Sequence, residues 1–298
     1  MRAAVASLRG IITVLNTPFG ADGSIDTGAL ARNVQSALDA GVAGFLVPAM
    51  AAEVQKLSDA ERAALIRTTV ETAAGQVPVI GGASAPDPAG RERLAMACLE
   101  LGCDGVLASI PFVDDADYEQ QVQNLAALRP GFLMLQDWDA LGYGLPVPLI
   151  VRLFERIEAF QAIKIEVVPA GVKYSEVLAA THGELHVSGG WAVMQMIEAF
   201  DRGVHAIMPT AMHAIYTRIY QLYASGDRAG AQALFERLLP VLAFSNQHLD
   251  ISIHFFKRLL WRQGIYPTDY VRPPALPFDS VHQHIADNLI DRVYELTP

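Results

Sequence analysis

Eight short runs of apolar, often β-branched residues alternate with stretches of helical periodicity along most of the chain. The runs begin roughly 20 to 35 residues apart, which is the length of one strand-and-helix unit. Several of them are apolar throughout, and this is typical of parallel strands that are buried on both faces. The pattern therefore predicts eight parallel strands, at Gly10–Thr17, Gly44–Ala49, Val77–Gly82, Gly105–Ile110, Phe132–Gln136, Ala162–Glu166, Leu185–Gly189 and His205–Thr210.

The stretches between these runs predict amphipathic helices. Leu30, Val34 and Leu38 repeat at a spacing that places them on one helical face. Ser58 precedes Glu61 by three residues, which is the capping box of a helix N-terminus. Eight strands that alternate with helices favour the α/β class and a (β/α)₈ TIM barrel. An open, doubly wound sheet is the main alternative, and the lack of a G-x-G-x-x-G motif after the first strand disfavours it.

The strand signal ends near residue 225. We expect residues 1–225 to form the barrel and residues 226–298 to form a helical extension packed on it. Three stretches of helical periodicity make up this predicted three-helix extension: Asp227–Asn246, Asp250–Gln263 and Asp279–Leu296.

Composition and charge exclude several classes of protein. The 298-residue chain is 52% hydrophobic, which is too apolar for a disordered protein, and its net charge of −10 disfavours nucleic acid as a partner. No apolar run reaches the length of about 18 residues that a membrane-spanning helix needs. Residues 1–10 are interpreted as an ordinary lead-in and not as a targeting segment. Two cysteines, Cys98 and Cys103, form no disulfide framework, so a reducing, cytoplasmic location is expected.

The sixth predicted strand carries the strongest chemical signal. Lys164 stands within a run of Ile and Val, where a lysine is costly unless it is paired or used. Burial favours the neutral amine, which attacks carbonyl carbons. Glu166 lies two residues further and so shares the same strand face. The pair suggests a Schiff-base lysine with a carboxylate that moves protons, and a purely structural buried ion pair is the alternative.

Other strand ends offer candidate binding groups for a substrate. Gln136 and Asp137 end the fifth strand and are suited to binding hydroxyl groups, although a polar loop is an equal alternative. Met50 and Ala51 follow the second strand, where small side chains let backbone N–H groups approach a carboxylate. Two further candidates follow the seventh strand: Gly189, which allows close backbone approach, and Trp191, which is either a pocket wall or core packing. No His, Cys and Asp set has metal-ligand spacing, and no cofactor is expected.

The order of these features resembles the dihydrodipicolinate synthase and N-acetylneuraminate lyase family over nearly the whole chain. Thr17-Pro18-Phe19 matches its T-P-F motif, and further matches are the Glu53 to Arg62 stretch, Gly102 to Val106, the strand-six lysine, Ser188-Gly189 and Gly203. The resemblance implies a (β/α)₈ barrel with a C-terminal helical extension, usually tetrameric. It also implies that Lys164 forms a Schiff base with pyruvate or another 2-oxo acid.

The chain departs from the usual pattern of that family at its proton relay. The motif G-T-T-G-E after strand two reads A-M-A-A-E here, so that Ala51 replaces the relay threonine. Gln136 replaces the relay tyrosine of strand five, and the loop at Pro111–Val113 holds no second tyrosine. The arginine that binds the aldehyde substrate of the synthase falls near Leu141. A working dihydrodipicolinate synthase is therefore not expected.

Lys-x-Glu at residues 164–166 is similar to the pattern of sugar-acid enzymes such as 2-keto-3-deoxy-L-arabonate dehydratase. This resemblance implies a lyase that dehydrates a 2-keto-3-deoxy sugar acid, with Lys164 as the imine lysine and Glu166 as the acid and base. A pyruvate-type aldolase with the same imine and a non-catalytic protein that binds 2-oxo acids are the alternatives. The expected partners are a small 2-oxo acid and further copies of the chain in a dimer or tetramer, with no nucleic acid and no membrane.

Overall fold

A closed barrel of eight parallel strands in sequential order forms the centre of the computed structural model, which describes residues 3–297 apart from the side chains of residues 3, 4, 191 and 192. The barrel confirms the predicted fold class. The strands are β1 (Gly10–Val14), β2 (Gly44–Val47), β3 (Val79–Gly82), β4 (Gly105–Ala108), β5 (Leu133–Asp139), β6 (Phe160–Val167), β7 (His186–Gly189) and β8 (Ala206–Ile207).

Helices surround the barrel and continue beyond its last strand. Ser58 caps one of them through the predicted capping box, in which its side chain and that of Glu61 both bond to backbone N–H groups. The helices are α1 (Ala3–Ala6), α2 (Thr27–Asp39), α3 (Asp59–Ala73), α4 (Pro88–Glu100), α5 (Asp115–Ala127), α6 (Val147–Arg156), α7 (Ala170–Ala180), α8 (Met196–Asp201), α9 (His213–Ala224), α10 (Arg228–Ser245), α11 (Leu249–Arg262) and α12 (Ser280–Leu296).

Side chains fill the barrel from its N-terminal end upward. Val5 and Leu8 are fully buried there and belong to the same apolar cluster as the inward-facing strand residues. His186 places its Nε2 atom 2.6 Å from the Leu8 carbonyl oxygen, and its ring stacks on His205 at 5.0 Å between centroids. Side chains therefore close this end of the barrel, and the opposite end, at the C-terminal ends of the strands, is where TIM barrels bind substrates.

Strands β5 and β6 are longer than the sequence predicts. The sequence places their ends at Gln136 and Glu166, whereas in the structure they end at Asp139 and Val167. Gln136 lies opposite Lys164 and Trp138 lies opposite Glu166 in the pairing register. The apolar run stops at the first polar residue, but the backbone pairing of the two strands continues to Asp139 and Val167.

The three helices α10, α11 and α12 follow the barrel, as the sequence predicts. Helix α10 packs against α9 and α12, and α11 contacts the turn after β2. Together they cover one side of the barrel mouth. The division of the chain at residue 225 stays a prediction. No helix among residues 3–297 is long and apolar enough to cross a membrane.

Candidate active site

Lys164 and Glu166 lie side by side at the mouth of the barrel. Both project inward from β6, because residues two apart on a strand share a face. Nζ of Lys164 lies 3.0 Å from Oε2 of Glu166, and each side chain is only 8% exposed. A buried ammonium and carboxylate in contact stabilise each other against the cost of losing water. The predicted pair is therefore present as a close contact.

Gln136 contacts the same carboxylate from the neighbouring strand. Its Nε2 atom donates a hydrogen bond of 2.6 Å to Oε2 of Glu166. The register of β5 on β6, which sets Gln136 opposite Lys164, brings the three side chains together. The glutamine thus orients the glutamate, a contact that sequence reasoning did not predict when it assigned Gln136 to substrate hydroxyl groups.

A cavity of about 490 Å³ opens above this cluster. Its floor is Lys164 and Glu166, and Met50 and Ala51 line it from the turn after β2. Thr210, which ends the eighth predicted run, also lines it. Further walls come from β1, the ends of β5 and β8, and the segment between α10 and α11. The cavity is large enough for a small organic substrate within reach of the Lys164 amine.

Gly190 leaves room for the Lys164 and Glu166 side chains. A Cβ atom at this position would lie 2.0 Å from Oε1 of Glu166 and 2.4 Å from Cε of Lys164. The sequence selects Gly189 for close approach, but that residue is buried within β7, where it pairs with Ile165. Gly190, one residue later, is therefore the glycine that borders the cavity. The side chain of Trp191, the other candidate of this strand end, lies outside the described part of the structure.

Side chains of the loop that follows β1 hold the turn after β2 in place. Met50–Ala52 form one 3-10 turn. Asn16 donates a hydrogen bond of 2.8 Å to the Ala51 carbonyl, and Thr17 donates one of 2.7 Å to the Ala52 carbonyl. Among the described residues, no hydrogen bond is made by the N–H groups of Met50 and Ala51. Their predicted role in binding a carboxylate stays a prediction.

An ion cluster under this turn ties it to the C-terminal part of the chain. Glu53 is buried and contacts Lys257 on α11, and Lys56 lies 3.0 Å from its other carboxylate oxygen. The backbone N–H of Arg272 donates a hydrogen bond of 2.9 Å to the same carboxylate. Burial lowers the pKa of Lys257 to about 8. The cluster is structural, since Glu53 faces away from the cavity.

Asp137 lies on the opposite face of β5 from Gln136. Its Oδ2 atom is 2.5 Å from Nζ of Lys173 on α7, and its Oδ1 atom accepts a hydrogen bond of 2.8 Å from the Leu145 N–H. Burial raises the pKa of Asp137 and lowers that of Lys173. This placement corrects the predicted role of Asp137 in binding hydroxyl groups, because adjacent strand residues point to opposite faces.

Metal ligands are not grouped in this structure. Among residues 3–297, no set of three or more His, Cys, Asp and Glu side chains lies close enough to hold a metal ion. The chemistry available to the described side chains is that of an amine, a carboxylate and a carboxamide around one cavity. Such a group can attack a carbonyl carbon and move protons beside it.

A family model and several known proteins match nearly the whole chain. The model of the dihydrodipicolinate synthetase family matches residues 7–292. A 4-hydroxy-tetrahydrodipicolinate synthase of Xanthomonas axonopodis pv. citri is 30% identical, with 95% of this chain and 94% of that protein covered. An L-2-keto-3-deoxyarabonate dehydratase of Azospirillum brasilense is 26% identical, with 97% of this chain and 95% of that protein covered.

Solved structures share the fold. Dihydrodipicolinate synthase of Rhodopseudomonas palustris superimposes with a TM-score of 0.88 at 22% identity, over 96% of this chain and 98% of that one. A prophage protein of the dihydrodipicolinic acid synthase family from Escherichia coli K12, solved in complex with pyruvate, has a TM-score of 0.87 at 21% identity. The alignment with that protein covers 96% of this chain and 98% of the other.

Proposed function

This chain belongs to the dihydrodipicolinate synthetase family, and from that membership we propose that it is a lyase that forms a Schiff base between Lys164 and a 2-oxo acid. The contact that carries the proposal is the one between Lys164 Nζ and Glu166 Oε2, 3.0 Å apart at the floor of the cavity. A lysine amine and a carboxylate in contact supply a nucleophile and a proton acceptor at one place.

The first stage is formation of the imine. Glu166 takes the proton that the Lys164 ammonium must lose before it becomes a nucleophile. The free amine attacks C2 of the 2-oxo acid to give a carbinolamine. Glu166 returns its proton to the carbinolamine hydroxyl group, which leaves as water and gives a protonated imine. Gln136 holds the glutamate in position during these transfers through its hydrogen bond of 2.6 Å.

The second stage is elimination of water from the bound substrate. The protonated imine withdraws electrons and so acidifies the C3–H bond. Glu166 accepts the C3 proton and passes it to the C4 hydroxyl group. That group leaves as water when the C4–O bond breaks and a C3=C4 double bond forms. Hydrolysis of the imine then releases the product and restores Lys164, so the net change is loss of one water molecule.

The N–H groups of Met50 and Ala51 are proposed to bind the substrate carboxylate. These N–H groups make no hydrogen bond to other described residues, and both residues line the cavity. Oriented N–H groups in a turn attract anions. The carboxylate would then lie on the β2 side of the cavity and direct C2 toward Lys164.

A 2-keto-3-deoxy sugar acid is the proposed substrate class. Similarity to a keto-deoxy-arabonate dehydratase supports it, and so does the spacing of Lys164 and Glu166. Ala51 and Gln136 carry no hydroxyl group at positions where the synthase pattern has its relay threonine and tyrosine. We therefore do not assign the activity of the dihydrodipicolinate synthases to this chain.

Location and assembly are further parts of the proposal. Cys98 and Cys103 are both free and buried, as suits a protein of the cytoplasm. Family resemblance supports a homo-oligomer, either a dimer or a tetramer. Sedimentation of the purified protein over a range of concentrations measures this directly.

Borohydride trapping tests the central step. The protein is reduced in the presence of pyruvate and, separately, 2-keto-3-deoxy-L-arabonate, and its peptides are analysed by mass spectrometry. An adduct is expected on the Lys164 peptide, with Lys56, Lys173 and Lys257 as internal controls. No adduct with either acid would overturn the imine. Product analysis separates dehydration from retro-aldol cleavage, which would release pyruvate and an aldehyde.

A further inference from the structure

The cavity has a second polar wall that the proposed reaction does not use. The turn between α10 and α11, formed by Asn246, Gln247 and His248, lines the same cavity as Lys164. Ser252 on the first turns of α11 lines it as well. The turn therefore faces whatever part of a bound molecule extends beyond the imine carbon.

The side-chain amides of Asn246 and Gln247 each use their nitrogen in a hydrogen bond within the chain. Asn246 uses its Nδ2 atom to donate to the Leu242 carbonyl at 3.1 Å, and Gln247 uses its Nε2 atom to donate to the Phe244 carbonyl at 3.0 Å. A carbonyl partner fixes the nitrogen end of each amide, because only that end can donate. The Oδ1 and Oε1 atoms are left as acceptors.

His248 complements them with a donor. Its Nδ1 atom accepts a hydrogen bond of 3.1 Å from the Asp250 N–H at the start of α11. An Nδ1 atom that accepts carries no hydrogen, so the neutral imidazole bears its hydrogen on Nε2. The turn thus offers two acceptor oxygens and one N–H donor, and a hydroxyl group, which donates and accepts, satisfies both kinds.

Charge excludes a second carboxylate at this wall. Among the described lining residues, Lys164 is the only Lys or Arg, and its charge is already matched by Glu166. A carboxylate accepts hydrogen bonds but donates none when ionised, so the amide oxygens of Asn246 and Gln247 would repel it. The wall therefore selects a neutral, hydroxylated group over an anionic one.

We infer that the 246–248 turn is the subsite that binds the distal hydroxyl groups of the substrate and rejects 2-oxo acids with a second, distal carboxylate. This inference rests on the proposed function, because it takes the imine at Lys164 as the other end of the substrate. It adds to that function a place of recognition and a rule for specificity: monocarboxylic 2-oxo acids with hydroxylated tails bind.

Calorimetric titration of the intact protein with 2-keto-3-deoxy-L-arabonate and with 2-oxoglutarate tests the rule. The dicarboxylate is expected to bind at least about tenfold more weakly, because an ionised carboxylate has no hydrogen to donate to the two amide oxygens of the turn. Equal affinity would overturn the inference. Binding is measured without borohydride, so selective binding without a Lys164 adduct would overturn the imine and leave the subsite standing.

Two substitutions locate the selectivity in the turn. Gln247→Met removes the acceptor oxygen and is expected to weaken binding of the hydroxylated acid severalfold more than that of pyruvate, which has no distal group. Gln247→Arg is expected to improve binding of 2-oxoglutarate. The matched control is Gln283→Met on α12, where the amide also donates to a carbonyl, that of Phe278, at 3.1 Å. Equal losses for both acids in Gln247→Met, with no gain in Gln247→Arg, would contradict the assignment.

Discussion

Gln136 on β5 donates its 2.6 Å hydrogen bond to the same Glu166 oxygen that lies 3.0 Å from Nζ of Lys164. These two contacts on Oε2 fix the rotation of the carboxylate. Oε1 lies toward Gly190, which has no side chain of its own. The carboxylate is therefore held in one orientation beside the amine, as a group that transfers protons at a single carbon must be.

Replacing Glu166 with glutamine removes the proton acceptor with little change in shape. Glu166→Gln is expected to lower kcat on a 2-keto-3-deoxy sugar acid by about 10²- to 10⁴-fold, the range of general acid and base catalysis. Borohydride trapping of pyruvate on Lys164 should still be detectable, because the amine remains. Glu71→Gln, at an exposed position on α3, is the control. An unchanged rate in Glu166→Gln would exclude the proton-transfer role.

A methyl group at residue 190 has no space beside Lys164 and Glu166. Gly190→Ala places a carbon that would lie 2.0 Å from Oε1 of Glu166, so the carboxylate must rotate away from Lys164. The expected result is a loss of turnover of about 100-fold with a nearly unchanged unfolding midpoint, because misplacement of reacting groups by an ångström has this effect. Gly28→Ala, where the nearest atom would be 3.3 Å away, is the matched control. Full activity in Gly190→Ala would contradict the packing argument.

Asp137 is expected to affect stability and not substrate affinity. Asp137→Asn leaves the buried Lys173 ammonium without its carboxylate, which should lower the free energy of unfolding by about 3 kcal/mol. Chemical denaturation measures this loss. KM should change little, because the Asp137 side chain faces α7. A raised KM with unchanged stability would instead restore the role that the sequence suggested for Asp137.

The periodicity of the sequence predicts most of the fold and the shared strand face of Lys164 and Glu166. Buried strands without polar alternation predict a parallel barrel, and the spacing of Lys164 and Glu166 predicts a shared face. The same rule of alternation shows that Gln136 and Asp137 must face opposite sides, but not which one faces inward. That choice depends on the register of β5 on β6, which arises from contacts between distant parts of the chain.

The 246–248 turn lay beyond sequence reasoning for a related reason. Its residues are ordinary polar groups at a helix end, where Asn246 and His248 serve as caps of α10 and α11. Their approach to the cavity depends on how the last helices fold back over the barrel. Contacts of Glu53 with Lys257 and Arg272 hold the last helices against the barrel. These contacts join residues about 200 positions apart, so no local sequence pattern predicts them.

His213 links this architecture to pH through a buried chain of hydrogen bonds. Its Nε2 atom lies 3.0 Å from Oδ1 of Asn33, and Asn33 in turn donates to the Tyr266 hydroxyl at 3.1 Å. Nδ1 of His213 lies 3.3 Å from the Thr13 hydroxyl oxygen. Complete burial lowers the pKa of His213 from 6.5 to about 4.

Stability is therefore expected to fall as the pH falls from about 6.5 to about 4. In this window the unfolded chain protonates residue 213 while the folded protein does not, so protons favour unfolding. His213→Gln removes this linkage. Between pH 7 and pH 4.5, the free energy of unfolding should therefore fall by about 2 to 3 kcal/mol less in this variant than in the unsubstituted protein. Urea denaturation at both pH values measures the difference. His284→Gln, at an exposed position on α12, should leave the acid sensitivity intact. The same pH dependence in His213→Gln as in the unsubstituted protein would mean that residue 213 is protonated in the folded state.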